Sequence, residues 1–208
     1  MKLIGIVGTN SDTSTNRKLL HFMSRHFSDR AEIEVCEIKH IPAFDEPEDK
    51  QAPAEVRELC ERIAAADGVI IATPEYDHTI PAALKSVIEW ISYTTRPLID
   101  KPVLIVGASH GLLGTSRAQT HLRQILDAPE LKARVLPSSE FLLGHSLAAF
   151  DEEGNLTYAD KVTELDEIFE EFQLFVQITR QLVKDQAFKT EQNKQFTWEK
   201  ASRGGGFQ

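Results

Sequence analysis

Short apolar runs alternate along the chain with longer stretches in which apolar residues recur every three or four positions. Leu3 to Val7 is a short apolar run that stops at Gly8, and polar residues follow to Asn16. From Arg17 to Phe27, the residues Leu19, Leu20, Met23 and Phe27 recur at helical spacing, with Ser14 or Thr15 placed to cap the helix. Glu32 to Ile38 alternates polar with apolar residues, as a half-buried edge strand does. Ile41 to Pro53 is acidic and proline-containing and reads as a loop, whereas Pro53 to Ala65 places Val56, Leu59, Cys60 and Ile63 on one helical face. Asp67 to Ala72 is apolar through its middle, the mark of a parallel strand covered on both sides. Pro81 opens a helix that runs to about Ser92 with a stripe of Leu84, Val87, Ile88 and Ile91. Pro102 to Gly107 predicts a fourth strand, 109–115 a glycine-containing loop, and Ser116 to Leu126 a helix. Ala133 to Leu136 predicts a short fifth strand, with room to extend toward Phe141. Ala159 to about Lys184 predicts a long helix faced by Val162, Leu165, Ile168, Phe169, Phe172 and Val176. Residues 1–184 are expected to form one domain. The polar segment 185–208, ending in GGGFQ, is expected to be a tail, mobile or held at a subunit interface.

This order of elements belongs to an α/β doubly wound sheet. Five parallel strands in the order 2-1-3-4-5, with helices on both faces, satisfy the right-handed crossover rule. They leave a crevice beside the first strand, where successive crossovers depart to opposite faces. The strand order rests on analogy with other doubly wound sheets rather than on local pattern. Three loops would meet at the crevice: 9–16, 74–79 and 109–115.

Composition narrows the function. A chain of 208 residues, 41% of them hydrophobic, suits one well-filled core. The net charge of −9, with no basic cluster, argues against a nucleic-acid partner. Cys36 and Cys60 form neither a CxxC pair nor a zinc-ligand spacing, so no disulfide and no metal site are expected. The opening MKLIGIVGTN lacks the length and cleavage pattern of a secretion signal, and no apolar stretch approaches the ~20 residues of a membrane span. A cytoplasmic protein without membrane contact is the expectation.

The first loop, GTNSDTSTNR over residues 8–17, is neither GxGxxG nor GxxxxGK[ST]. It does bring Thr9, Ser11, Thr13, Ser14 and Asn16 to a helix start, where backbone N–H groups can surround a phosphate. The alternative is an ordinary capped turn, with Arg17 adding charge or facing solvent. In the second loop, TPEYDHTIP over residues 73–81, Tyr76 is suited to stacking on a planar heterocycle such as a flavin. The amides of Glu75 to Asp77 are suited to its polar edge. The alternative is a half-buried tyrosine in a loop that Glu75 fixes by local hydrogen bonds. In the third loop, GASHGLLGTSR over residues 107–117, Gly111 and Gly114 permit close backbone approach and positive φ, and Ser109 and Gly111 are placed to contact a ring. His110 and His78 have no metal-ligand set around them, and Ser109 is outside a GxSxG elbow.

Together these loops resemble the NADPH-dependent FMN reductase family, which includes quinone, azo-dye and chromate reductases. The resemblance covers about residues 2 to 180. The family's GSxRxxSxNR is met by Gly8, Thr9, Ser14, Asn16 and Arg17, with Ser11 in place of the arginine. Its PEYNxSIPxxLKNxxDW, the most specific of the three signatures, is met by PEYDHTIPAALKSVIEW at 74–90, with Asp77 in place of asparagine. Its SxGxxGGxRxQxxLR is met by SHGLLGTSRAQTHLR at 109–123. The resemblance implies a flavodoxin-like fold, with Thr9, Ser11, Ser14 and Asn16 at the FMN phosphate. It places Pro74, Glu75, Tyr76 and Asp77 along the isoalloxazine and Ser109 and Gly111 on its other side; Thr15 and His110 complete the candidate cofactor-binding set. An anion at Asp77 beside the flavin would lower its reduction potential unless the carboxylate points away. Hydride would pass from NADPH or NADH to the flavin, and electrons then to a quinone, azo compound, flavin or similar small-molecule acceptor. No side chain is required as a catalytic nucleophile or general acid. A homodimer or homotetramer is implied. The alternatives are a flavodoxin-type electron carrier and a redox-responsive binding module.

Overall fold

The computed structural model describes residues 1–185. Its sheet contains Lys2–Val7 (β1), Glu32–Glu37 (β2), Gly68–Ala72 (β3), Pro102–Ala108 (β4), Arg134–Val135 (β5) and Phe141–Leu143 (β6). All pairs are parallel, in the expected order β2-β1-β3-β4-β5, and β6 also pairs with β4. The helices are Thr15–His26 (α1), Ala54–Ala65 (α2), Ala82–Tyr93 (α3), Ser116–Leu126 (α4) and Ala159–Asp185 (α5). The expected tail beyond residue 185 lies outside the described residues.

Side chains along a strand alternate between the two faces, so the apolar strands supply two cores at once. Ile4, Ile6, Val69, Ile71, Val103 and Ile105 pack with α2, α3 and α4. Leu3, Val7, Ile70, Ala72, Leu104 and Val106 pack with α1 and α5 on the opposite face. The long-helix stripe read from the sequence divides accordingly: Leu165, Phe169, Phe172 and Val176 are buried, while Val162 and Ile168 pack at the margin. The crossover from β1 leaves on the α1 face and that from β3 on the α3 face, which opens the crevice between the strand ends.

The fifth strand departs from expectation. It pairs at Val103↔Val135, leaves β4, and rejoins it at Val106↔Phe141. Pro137 has no N–H to give a ladder, and Ser138 has φ +61°, so the chain must bow outward. Arg123 stabilises the bow by donating to the carbonyls of Leu136, at 2.7 Å, and Ser139, at 2.5 Å. Burial makes loss of its charge easier and lowers its pKa, yet guanidinium remains charged at any physiological pH.

At the end of β4, a Cβ added to Gly107 would strike the Thr115 side chain and come within 2.8 Å of the Thr73 carbonyl. Thr115 is fully buried and held by Gln119 Nε2 at 3.0 Å, so it has little freedom to retreat. Gly107→Ala should therefore destabilise the fold by roughly 1–3 kcal/mol, read as a lower urea midpoint at unchanged slope.

Candidate functional site

A cleft of about 620 Å³ opens at the carboxyl ends of the central strands, a volume typical of small-molecule and cofactor sites. All three expected loops line it: Ser11, Thr13, Ser14, Thr15 and Asn16 from the first; Pro74, Glu75, Tyr76 and His78 from the second; Ser109, His110, Gly111 and their neighbours from the third. Two expected residues do not. Thr9 is buried beneath the cleft, where its hydroxyl accepts from the Ser11 N–H at 3.2 Å and lies 3.4 Å from the Tyr76 hydroxyl. Asp77 and His78 have φ of +49° and +64°, and Tyr76 and Thr79 on either side exchange backbone bonds of 3.0 Å. These are the central residues of a tight hairpin turn, where asparagine and aspartate are favoured because they tolerate left-handed backbone. Position 77 is thus chosen by its φ, and its carboxylate is not part of the cleft lining.

Several motif side chains are occupied in holding the loops together. Asn16 is buried; its Nδ2 donates to the Ala108 carbonyl at 2.8 Å and its Oδ1 accepts from the Ala108 N–H at 2.9 Å. Thr15 shares a buried 2.9 Å hydrogen bond with Ser146, in the short 3₁₀ turn Ser146–Ala148. Glu75 accepts from the N–H groups of Arg117, at 3.0 Å, and Ala118, at 3.2 Å. The N-cap position of α4, Thr115, makes no side-chain cap of its own, so Glu75 supplies that cap from a different loop. Arg17 clamps the first loop by donating to the carbonyls of Ser11 and Asp12, at 2.8 and 2.9 Å, and by pairing with Glu37. The Glu37 hydrogen bond raises the Arg17 pKa, and hydrogen bonding to Lys39 lowers that of Asp12, so both ends of the loop stay charged.

What remains for a ligand is a compact donor set. Ser14 caps α1 by accepting from the Arg17 N–H at 3.2 Å, leaving its O–H to donate outward. The first-turn amides of α1 have no carbonyl a turn earlier in the helix, and they lie beside the Ser11 and Thr13 hydroxyls. Across the cleft, Tyr76 keeps 48% of its surface exposed. Gly114 has φ +61° as expected, but Gly111 does not; a Cβ there would meet no protein atom, so the chain's own packing does not require that glycine. Sequence reasoning passed over Leu112 and Leu113, which line the cleft at 74% and 56% exposure, and Arg117, which lines it while lying 3.6 Å from Glu75. Their signal was two adjacent leucines in a loop with no helical or strand period. Ser146 had no local signal.

A sequence model of the family described as NADPH-dependent FMN reductase matches residues 1–148. The chain is 59% identical over 199 residues to the NADH:(hydroxy)cinnamate reductase subunit CrdA of Vibrio ruber, covering 96% of this chain and 98% of that one. It is 44% identical over 182 residues to the NADH-dependent flavin reductase subunit 2 of Lactobacillus johnsonii, covering 85% and 98%. Among solved structures, the flavoenzyme NAD(P)H:(acceptor) oxidoreductase FerB of Paracoccus denitrificans superposes with a TM-score of 0.67 at 24% identity, covering 88% of this chain and 97% of that one, a likeness of fold.

Asn16→Ala would leave the Ala108 N–H and carbonyl buried without partners. A loss of roughly 2–4 kcal/mol of stability is expected in urea titration, far more than the ~1 kcal/mol of an ordinary hydrogen bond.

Proposed function

Because the chain belongs to the NADPH-dependent FMN reductase family, an oxidoreductase that uses FMN to move electrons from a reduced nicotinamide to flavin- or quinone-type acceptors, we propose that the cleft between the three loops is its FMN site. The observation that carries the reading is the donor set: hydroxyls and first-turn amides suited to a phosphate, facing an exposed tyrosine and a glycine that only an incoming ligand would require. The first-turn amides of α1 with Ser11, Thr13 and Ser14 hold the phosphate. No arginine takes part, since Arg17 is engaged with Glu37 and the loop carbonyls. Pro74 to Tyr76 form one wall for the ring and Ser109 to Gly111 the other. Asn16, Thr15, Thr9 and Glu75 position these groups rather than supplying them. The bound FMN supplies the two-electron chemistry, accepting hydride and returning electrons to the acceptor. The protein's part is to orient donor and acceptor on the open side of the cleft and to keep water from the ring; no side chain is assigned a covalent or acid–base role.

NADH is the favoured donor in this reading. A 2′-phosphate needs a basic pocket, and among the described residues lining the cleft the one guanidinium, Arg117, is beside Glu75. Both relatives named above carry NADH in their names. Azo compounds join quinones and flavins as acceptors that an open ring face can reduce. Electron delivery to a protein is a second reading. Leu112, Leu113 and Leu147 are all more than half exposed, the first two in the cleft wall and the third beside Ser146, and both relatives are named as subunits. The reading includes homo-oligomerisation, as dimer or tetramer, and a reducing cytoplasm. Two buried free thiols, Cys36 and Cys60, whose pKa values burial raises, support the latter. Among the described residues, no helix is long and apolar enough to cross a membrane.

Tyr76→Phe should retain FMN as the native chain does, while Tyr76→Ala should weaken it about tenfold; equal retention in both would remove stacking from the account. The decisive test is anaerobic stopped-flow absorbance of the FMN-loaded protein mixed separately with NADH and NADPH. Rapid bleaching of the flavin band, faster with NADH, is expected. A bound flavin that both donors leave oxidised but dithionite reduces would indicate a carrier, and failure to hold FMN would refute the site.

A further inference from the structure

A smaller cavity, of about 300 Å³, adjoins the cleft along the outer side of α4. Ser116, Arg117, Thr120, His121 and Gln124 line it from the helix, and Glu140 lines it from the residue before β6. Arg117 lines both cavities, so they meet at its side chain. The helical positions recur every three or four residues and so form one stripe, which runs from Arg117 to Gln124 over two turns, about 10 Å. Glu140 is held beside the middle of that stripe, because its neighbours are tied to α4 on either side of it. Gln119 donates to the Phe141 carbonyl at 2.8 Å, and Arg123 donates to the Ser139 carbonyl at 2.5 Å. His121 shares a hydrogen bond with the Thr79 hydroxyl, which ties the groove to the loop that walls the cleft. Outward from the cleft, the groove therefore presents a cation, then hydroxyl and imidazole groups with a carboxylate beside them, then an amide. The cation is open to a ligand: Arg117 is half exposed, and it lies 3.6 Å from Glu75 Oε1, beyond hydrogen-bond range.

We infer that this groove binds the ADP half of NADH, with Arg117 on the pyrophosphate and Glu140 on the 2′-hydroxyl of the adenosine ribose. The inference rests on the reading of the cleft as an FMN site served by NADH, and it specifies where the rest of the donor lies. The order of groups decides the assignment. In the dinucleotide the nicotinamide nucleoside is followed by the pyrophosphate, then a ribose, then adenine. A nicotinamide stacked in the cleft must send its other half out through the mouth, and Arg117 stands where the cleft passes into the groove. Guanidinium is the side chain best matched to phosphate oxygens. Beyond it, the Thr120 hydroxyl donates to the Ser116 carbonyl at 2.9 Å, which leaves its oxygen to accept from a ribose hydroxyl. A carboxylate accepts from the 2′-hydroxyl and repels a 2′-phosphate, the means by which other dinucleotide sites select NADH. Arg123 attracts the Glu140 charge, but its Nη1 and Nη2 donate to the carbonyls of Leu136 and Ser139, so it does not offer a 2′-phosphate a substitute site. Gln124, at the far end, has both a donor and an acceptor for the edge of adenine. A small planar acceptor needs only the open ring face, whereas a dinucleotide must place a second half outside it.

Two measurements on the FMN-loaded full chain test this, with far-UV circular dichroism to confirm that the variants fold. In anaerobic stopped flow, NADH should half-saturate flavin bleaching at a concentration roughly tenfold below that of reduced nicotinamide mononucleotide, which lacks the AMP half. Arg117→Ala should raise the NADH value about tenfold, through loss of charge-assisted hydrogen bonds, and Arg117→Lys should raise it less. Titration calorimetry with ADP-ribose reads the groove without turnover. The wild type should bind ADP-ribose several-fold more tightly than its 2′-phosphate, and Glu140→Lys should reverse that order. Equal half-saturation by the two donors overturns the inference and leaves the reductase reading in place. So does an ADP-ribose affinity indifferent to both Arg117→Ala and Glu140→Lys. ADP-ribose that binds with the expected preference to a chain whose flavin neither donor bleaches supports the groove as a nucleotide site and overturns the reductase reading.

Discussion

The two hydrogen bonds between the Asn16 side chain and the Ala108 backbone join the ends of two strands that do not pair with each other in the ladder. β1 and β4 are separated by β3, and their crossovers leave on opposite faces, so the loops at their ends have no reason to keep a fixed distance. One buried amide, donating and accepting across 92 residues of chain, sets that distance. Thr15 with Ser146, and Glu75 with the start of α4, repeat the device around the cleft. The Asn16 and Thr15 bonds satisfy groups that would otherwise be buried without partners, so there holding the cleft and stabilising the fold are the same interactions.

A division of labour follows. The most conspicuous motif residues, Asn16, Arg17 and Glu75, have their polar atoms occupied within the protein. The groups left facing the cleft are first-turn amides and small hydroxyls, which lose little freedom when a ligand binds because the backbone has already fixed them. Under the proposed FMN site, the serine in place of a first-loop arginine is tolerable, since a helix start with ordered hydroxyls can hold an anion without a side-chain charge. It also separates two roles that a motif merges. In the proposed FMN site, a substitution at Asn16 acts first on stability, and one at Ser14 on the ligand.

The opposite face of the sheet follows a different logic. There the apolar stripes of α2, α3 and α4 are covered by the strands, and what remains at the surface is balanced charge around the Glu130 carboxylate, whose Oε1 is buried without a hydrogen-bond partner among the described residues.

Hydrophobic periodicity by itself determined the elements, since a buried parallel strand must be apolar throughout and a covering helix must be apolar every three or four residues; β1, β3, β4 and all five helices lay where those patterns put them, within a few residues. The loops that meet at the crevice were legible for the same reason, because the strand ends fix where loops begin. The break between β5 and β6 was not, for it depends on Arg123 reaching the carbonyls of Leu136 and Ser139, a contact between separate elements. Nor could local pattern show that Asp77 serves its turn, that Asn16 and Glu75 serve the scaffold, or that Glu130 lacks a partner. Those distinctions depend on which groups meet across tens of residues, and hydrogen bonds between distant segments are decided only when the chain has packed.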